Sequence, residues 1–92
     1  MKTVVFLHMP GCPYCTAARR ALAQLRAENP AYAALAVEEI DETADPRRAA
    51  EYNYYYVPSF FVGGRKIYEA HPGDSDRTVA SNVHRALDAA LA

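Results

Sequence analysis

A run of apolar and β-branched residues, Thr3-Val4-Val5-Phe6-Leu7, leads through Pro10-Gly11 into Cys12-Pro13-Tyr14-Cys15 and then into an Ala/Leu-rich stretch. That succession dictates a strand, a tight break and a helix in that order, with two thiols at the mouth of the helix. The first turn of a helix carries unpaired N–H groups and the positive end of the helix dipole, so an anionic sulfur at Cys12 is favoured there. Cys15, three residues on, lies on the same side of the helix and within disulfide reach. One thiolate that attacks a disulfide and a second thiol that releases the product make up thiol-disulfide exchange, and this spacing supplies both.

The remaining pattern alternates strands and helices. Thr3 to His8 is nearly continuous in apolar residues, as expected of a strand buried on both faces. Ala18, Leu22 and Leu25 follow Cys15 at helical spacing, with Arg19, Arg20, Gln24 and Arg26 on the opposite face, up to the stop at Asn29-Pro30. Leu35 to Ile40 reads as a second strand, and Asp45-Pro46 opens a short helix with the aspartate as cap. Tyr56 to Val62 is strand-like, Gly63-Gly64 is a hairpin signal, and Lys66 to Ala70 returns antiparallel. After His71-Pro72-Gly73, any of Asp74, Ser75 or Asp76 can cap a last helix in which Val79, Val83, Leu87 and Leu91 recur every four residues. The order βαβαββα predicts an α/β fold with a four-stranded mixed sheet, strand order 2-1-3-4, flanked by helices.

Ninety-two residues, 51% hydrophobic and 23% charged, suffice for one core, and a single domain over residues 1–92 is expected. A net charge of −1 gives no electrostatic footprint for nucleic acid or an anionic membrane. With the strand pattern starting at Thr3 and no bilayer-length apolar run, a cytoplasmic monomer is expected. In a reducing compartment, two cysteines at this spacing read as catalytic or metal-binding and not as a structural staple. His8, His71 and His84 are not at zinc-finger spacing from the cysteines, so no metal site is expected.

The Cys-Pro-Tyr-Cys after the first strand, Val57-Pro58 before the third and the Gly-Gly hairpin together resemble the glutaredoxins, within the thioredoxin-like superfamily. The resemblance covers essentially the whole chain. It implies a dithiol oxidoreductase in which Cys12 is the nucleophile and Cys15 the resolving thiol, acting on protein or small-molecule disulfides. It also implies a cis bond at Pro58, with the backbone of Val57 pairing with a substrate peptide or with glutathione. No tightly bound cofactor is expected, and the reductant is glutathione or a separate reductase. Two departures set the chain apart from thioredoxin itself: no Trp precedes Cys12, and Phe6 takes the place of the buried Asp beneath the dithiol. Two others predict a weakened glutathione site. Met9 stands where many glutaredoxins have a Lys, and Glu69 to Asp76 replaces the usual Gly-Gly-x-Asp stretch.

Around the dithiol, Tyr14 offers a ring as one wall for a bound thiol compound, and Asp74 and Ser75 offer an acidic group and a helix terminus for the zwitterionic end of glutathione. His8 is either a proton donor near the thiols or a strand-end histidine satisfied locally. Tyr52, Tyr54, Tyr55 and Tyr56 lead into Pro58. Alternation would send Tyr54 and Tyr56 to one side and Tyr55 to the other, leaving some as core and some as a platform for a protein disulfide. The same thiolates also allow a non-enzymatic iron-sulfur or metal carrier, or a redox sensor.

Overall fold

β1 (Val4–His8) lies in the middle of the sheet and is closed in from every direction. The computed structural model describes residues 1–92. β1 pairs in parallel with β2 (Val37–Asp41) and antiparallel with β3 (Ser59–Val62), which pairs antiparallel with β4 (Arg65–Glu69), giving the order β2-β1-β3-β4. This is the mixed sheet that the alternation of strands and helices predicts. Val4, Val5, Phe6 and Leu7 are all buried, since alternate side chains of a central strand enter opposite layers.

The larger layer lies between the sheet and two long helices, α1 (Pro13–Glu28) and α4 (Asp76–Leu91). Val4, Phe6, Phe60 and Val62 meet Ala18 and Leu22 from α1 and Val79, Val83 and Leu87 from α4. Phe6 and Phe60, neighbours in register, stack with ring centroids 4.7 Å apart. The smaller layer gathers Val5, Leu7, Ile40, Ala49 and Phe61 on the other face, with Tyr52, Tyr54 and Val57 packed against them. α4 is capped by the Ser75 hydroxyl, which accepts from the Thr78 N–H at 3.1 Å. Its last periodic residue, Leu91, is 36% exposed, so the buried stripe ends at Leu87 and Ala90.

Four expectations are corrected. Asn29-Pro30 ends α1 but also starts an additional helix, α2 (Pro30–Ala33), because the Asn29 carboxamide accepts from the Ala31 N–H at 2.9 Å and Pro30 fits a first helical position. The order is therefore βααβαββα, with α3 (Pro46–Ala49) capped by Asp45 as its sequence foretells. β2 runs from Val37 to Asp41 and not from Leu35, whose carbonyl accepts from the Arg26 guanidinium at 3.0 Å. Residues 56–58 are not part of β3: side chains take up the polar backbone groups of Tyr56 and the Val57 carbonyl, as the Ser59 hydroxyl does in donating to the Tyr56 carbonyl at 2.6 Å. β4 is Arg65–Glu69 in place of 66–70. On α4, the Arg85 guanidinium reaches across to donate to the Ile67 carbonyl of β4. No helix is long and apolar enough to cross a membrane.

Phe60 has no exposed surface and stands at the junction of β1, β4 and α4. Phe60→Ala is expected to cost roughly 3–5 kcal/mol, read from urea unfolding with an unchanged m-value. A loss under about 1 kcal/mol would show that the layer collapses around the deletion.

Candidate functional site

The chain leaves β1 at His8 and turns through Gly11, whose φ of +76° is a conformation that glycine adopts without strain. Cys12 follows in extended conformation as the N-cap of α1, with Pro13 in the first turn. The Cys15 N–H donates to Cys12 Sγ at 3.4 Å, so the thiol takes the place that an Asp or Ser oxygen fills in most caps. No acidic residue lies in that first turn to neutralise the positive end of the dipole. Both cysteines are free thiols. Cys12 is 7% exposed and Cys15 1%, so both are buried and Cys15 the more completely. Burial pushes the Cys15 thiol from 9.0 to about 12, with its bond to Cys12 adding to the shift.

Across from the dithiol, Val57-Pro58 is a cis peptide bond, as the resemblance implies. The Cys12 thiol donates to the Val57 carbonyl at 3.8 Å, a contact available only while that sulfur holds its proton. Cys12, Cys15, Val57 and Pro58 thus meet at one place. Tyr14 borders it from α1, with its hydroxyl oxygen accepting from the Gly73 N–H at 2.9 Å. That bond ties the first turn of α1 to the loop before α4.

The other anticipated residues are spoken for in different ways. Asp74 accepts from the Tyr68 hydroxyl at 2.7 Å and from the His71 N–H at 3.0 Å. These bonds hold its carboxyl below the ordinary range, while burial and the Asp74 contact raise the Tyr68 phenol. The Ser75 hydroxyl is engaged in capping α4. His8 faces side chains, accepting from the Arg19 guanidinium at 3.2 Å through Nδ1 with Glu39 3.6 Å from Nε2. Arg19 also lies 5.7 Å over the Phe6 ring, so it is a bridge between β1, β2 and α1 and not merely part of an outer polar face.

The tyrosines do not alternate as a strand would place them. Tyr52 and Tyr54 both pack into the smaller layer, with the Tyr54 hydroxyl donating to Glu42 at 2.6 Å, whereas Tyr55 and Tyr56 both face outward. The reason is that residues 53–58 form bends outside the ladder, so no period of two applies. Glu69, which nothing in the sequence pattern singles out as part of the site, underpins this segment. Its carboxylate accepts from the Tyr55 and Tyr56 N–H groups, each at 2.7 Å, and from the Lys66 ammonium at 2.6 Å. Burial opposes its charge, but these donors outweigh it and hold Glu69 at about 2, down from 4.5.

No group of three His, Cys, Asp or Glu side chains comes together in a metal-holding arrangement. The Glutaredoxin family model matches residues 3–67, which takes in the dithiol, Val57-Pro58 and the hairpin as far as β4. Among curated proteins no match is found.

Two of the shifted groups, Glu69 and Cys15, set opposite limits on stability. Glu69 has a folded value below its unfolded one, so its contribution is complete above 4.5 and drains away as pH falls toward 2. Cys15 has a folded value above its unfolded one, so its contribution is complete below 9.0 and is lost as pH rises toward 12. Urea unfolding of the reduced protein is expected to show both limbs, with Glu69→Gln flattening only the acid one. In the same protein at pH 7.5, limiting iodoacetamide is expected to label Cys12 and spare Cys15. Equal labelling would remove the distinction between the two sulfurs.

Proposed function

The chain belongs to the glutaredoxin family, and on that footing we propose that it is a thiol-disulfide oxidoreductase with Cys12 as nucleophile and Cys15 as resolving thiol. The observation that carries the reading is the unlike setting of two adjacent sulfurs: Cys12 caps α1 beside the Val57 backbone carbonyl, and Cys15 is the more deeply buried of the two. Ionised Cys12 attacks one sulfur of the substrate disulfide, the S–S bond breaks, and the departing thiolate takes a proton from solvent. Cys15 then gives up its proton and attacks Cys12 Sγ. The mixed disulfide breaks, the second substrate sulfur leaves as a thiol, and a Cys12–Cys15 disulfide remains. Two electrons from glutathione or from a reductase return the pair to dithiol. No cofactor stays bound through the cycle.

Ionisation of Cys12 frees the Val57 carbonyl from its thiol donor, and an incoming peptide N–H is the natural replacement. The exposed rings of Tyr55 and Tyr56, in contact with each other at 4.8 Å between centroids, immediately precede Val57 in the chain. They suit a protein or peptide disulfide better than a small one, because aromatic rings supply contact area that a small disulfide does not reach. On the glutathione side, Met9 offers no ammonium for a carboxylate. The Asp74 carboxylate, the Ser75 hydroxyl and the Tyr14 hydroxyl are already engaged within the chain. Glutathione serves as reductant with low affinity, and the working partners are disulfide-bearing proteins or peptides met by a monomer in the cytoplasm.

Cys12→Ser is expected to abolish exchange, whereas Cys15→Ser retains the first step and accumulates a mixed disulfide at Cys12, visible by mass spectrometry. Exchange persisting in Cys12→Ser would overturn the assignment. Turnover with glutathione is expected to show a high KM that Met9→Lys lowers about tenfold, the worth of one charge-assisted contact. Efficient turnover of the native chain at low glutathione, unaffected by Met9→Lys, would show that other groups complete the glutathione site.

A further inference from the structure

We propose that Glu69 is a positioning residue for disulfide exchange, holding the Tyr55–Val57 backbone against the dithiol and so selecting extended peptide disulfides over small ones. The inference rests on the oxidoreductase reading and names the substrate class of that same site.

Residues 53–57 have no strand partner, and the Tyr55 ring, 83% exposed, has only its neighbour Tyr56 to pack on. Tyr54 and Val57 pack into the smaller layer, and what fixes the Tyr55–Tyr56 backbone between them is polar and converges on one carboxylate. Glu69 Oε2 takes the two consecutive N–H groups of Tyr55 and Tyr56, and Oε1 takes Lys66, whose ammonium also reaches the Asn53 carbonyl at 3.3 Å. Glu69 is itself anchored in β4, with its side chain 14% exposed. Immediately beyond it, the Ala70 N–H donates to the Pro58 carbonyl at 3.0 Å. β4 thus grips both flanks of Val57-Pro58, by backbone after it and by the Glu69 carboxylate before it.

Charge-assisted bonds from two successive amides fix the orientation of the peptide plane between them as well as its position. With Tyr55 and Tyr56 held before it, Val57 packed into the smaller layer and the Pro58 carbonyl held after it, the Val57 carbonyl keeps its place beside Cys12 before any substrate arrives, which lowers the ordering cost of a docking strand. A substrate that pairs along this backbone benefits from the fixed orientation. A small disulfide, which touches only the sulfur of Cys12, does not. With its carboxyl held far below neutrality, Glu69 is ionised near pH 7 and the grip is present there.

The test is a single-turnover comparison by chemical quench, mixing pre-reduced protein with a cystine-bridged peptide or with bis(2-hydroxyethyl) disulfide. For Glu69→Ala, the half-saturating peptide concentration is expected to rise about tenfold with the limiting rate within about twofold. The rate with the small disulfide and the rate of Cys12 alkylation are expected to stay unchanged. Glu69→Asp recovers part of the loss. Amide exchange at Tyr55 and Tyr56, slow in the native chain, is expected to accelerate in Glu69→Ala while core amides stay protected. If Glu69→Ala does not fold, Lys66→Met removes one partner only and is expected to shift peptide half-saturation about threefold. An equal loss for both disulfides, or an unchanged peptide half-saturation with accelerated Tyr55 and Tyr56 exchange, would overturn the positioning role alone. A native chain that reacts with neither disulfide would overturn the oxidoreductase reading, and the positioning role with it.

Discussion

β1 is hydrogen-bonded along both edges and covered on both faces, so every other element is placed by reference to it. Its even positions, Val4 and Phe6, call for α1 and α4 above the sheet, and its odd positions, Val5 and Leu7, call for α3 and the inward tyrosines below. A strand so enclosed has one free direction, forward through Pro10-Gly11, and that is where the thiols lie. Cys12 is therefore placed just past the most enclosed strand of the sheet. Elements packed on both sides hold such a site more closely than loops do.

Opposite the thiols, the structure is held by different means. β3 does not begin until Ser59, and the approach to it crosses the sheet edge without a partner strand. Apolar packing secures Tyr52, Tyr54 and Val57, and side-chain acceptors and donors secure the intervening backbone. The two sides of the site thus answer to different forces: burial fixes the dithiol side, and on the tyrosine side directional polar bonds act beside apolar packing. The second can keep its shape while presenting bare aromatic rings to solvent, which burial could not achieve.

Much of this was legible from residue order. The apolar run of β1, the amphipathic spacing of α1 and α4, and Gly63-Gly64 each encode a local element by period or by turn chemistry, and together they yield the strand order. The meeting of Cys12 and Cys15 at the mouth of α1 was legible because their spacing and the helix start place them together. What escaped lies where side chains replace ladder bonds. α2 was hidden because Asn29-Pro30 spells both a stop and a start. The tyrosine segment defied alternation because it is not a strand. Glu69 was silent because its partners are backbone N–H groups, which carry no residue-type signal, and they lie 13 and 14 positions away.

The bond from Arg85 to the Ile67 carbonyl bears on the company this chain keeps in a crowded solution. β4 is a margin of the sheet, with no strand beyond it to take up its outward backbone groups. Such a margin invites a second molecule to extend the sheet by adding its own strand. A guanidinium laid over one of those carbonyls withdraws an acceptor from any such intruder, and the neighbouring charges of Arg65 and Lys66 repel a like copy. The free border of the sheet is thereby shielded against pairing with a strand of another chain.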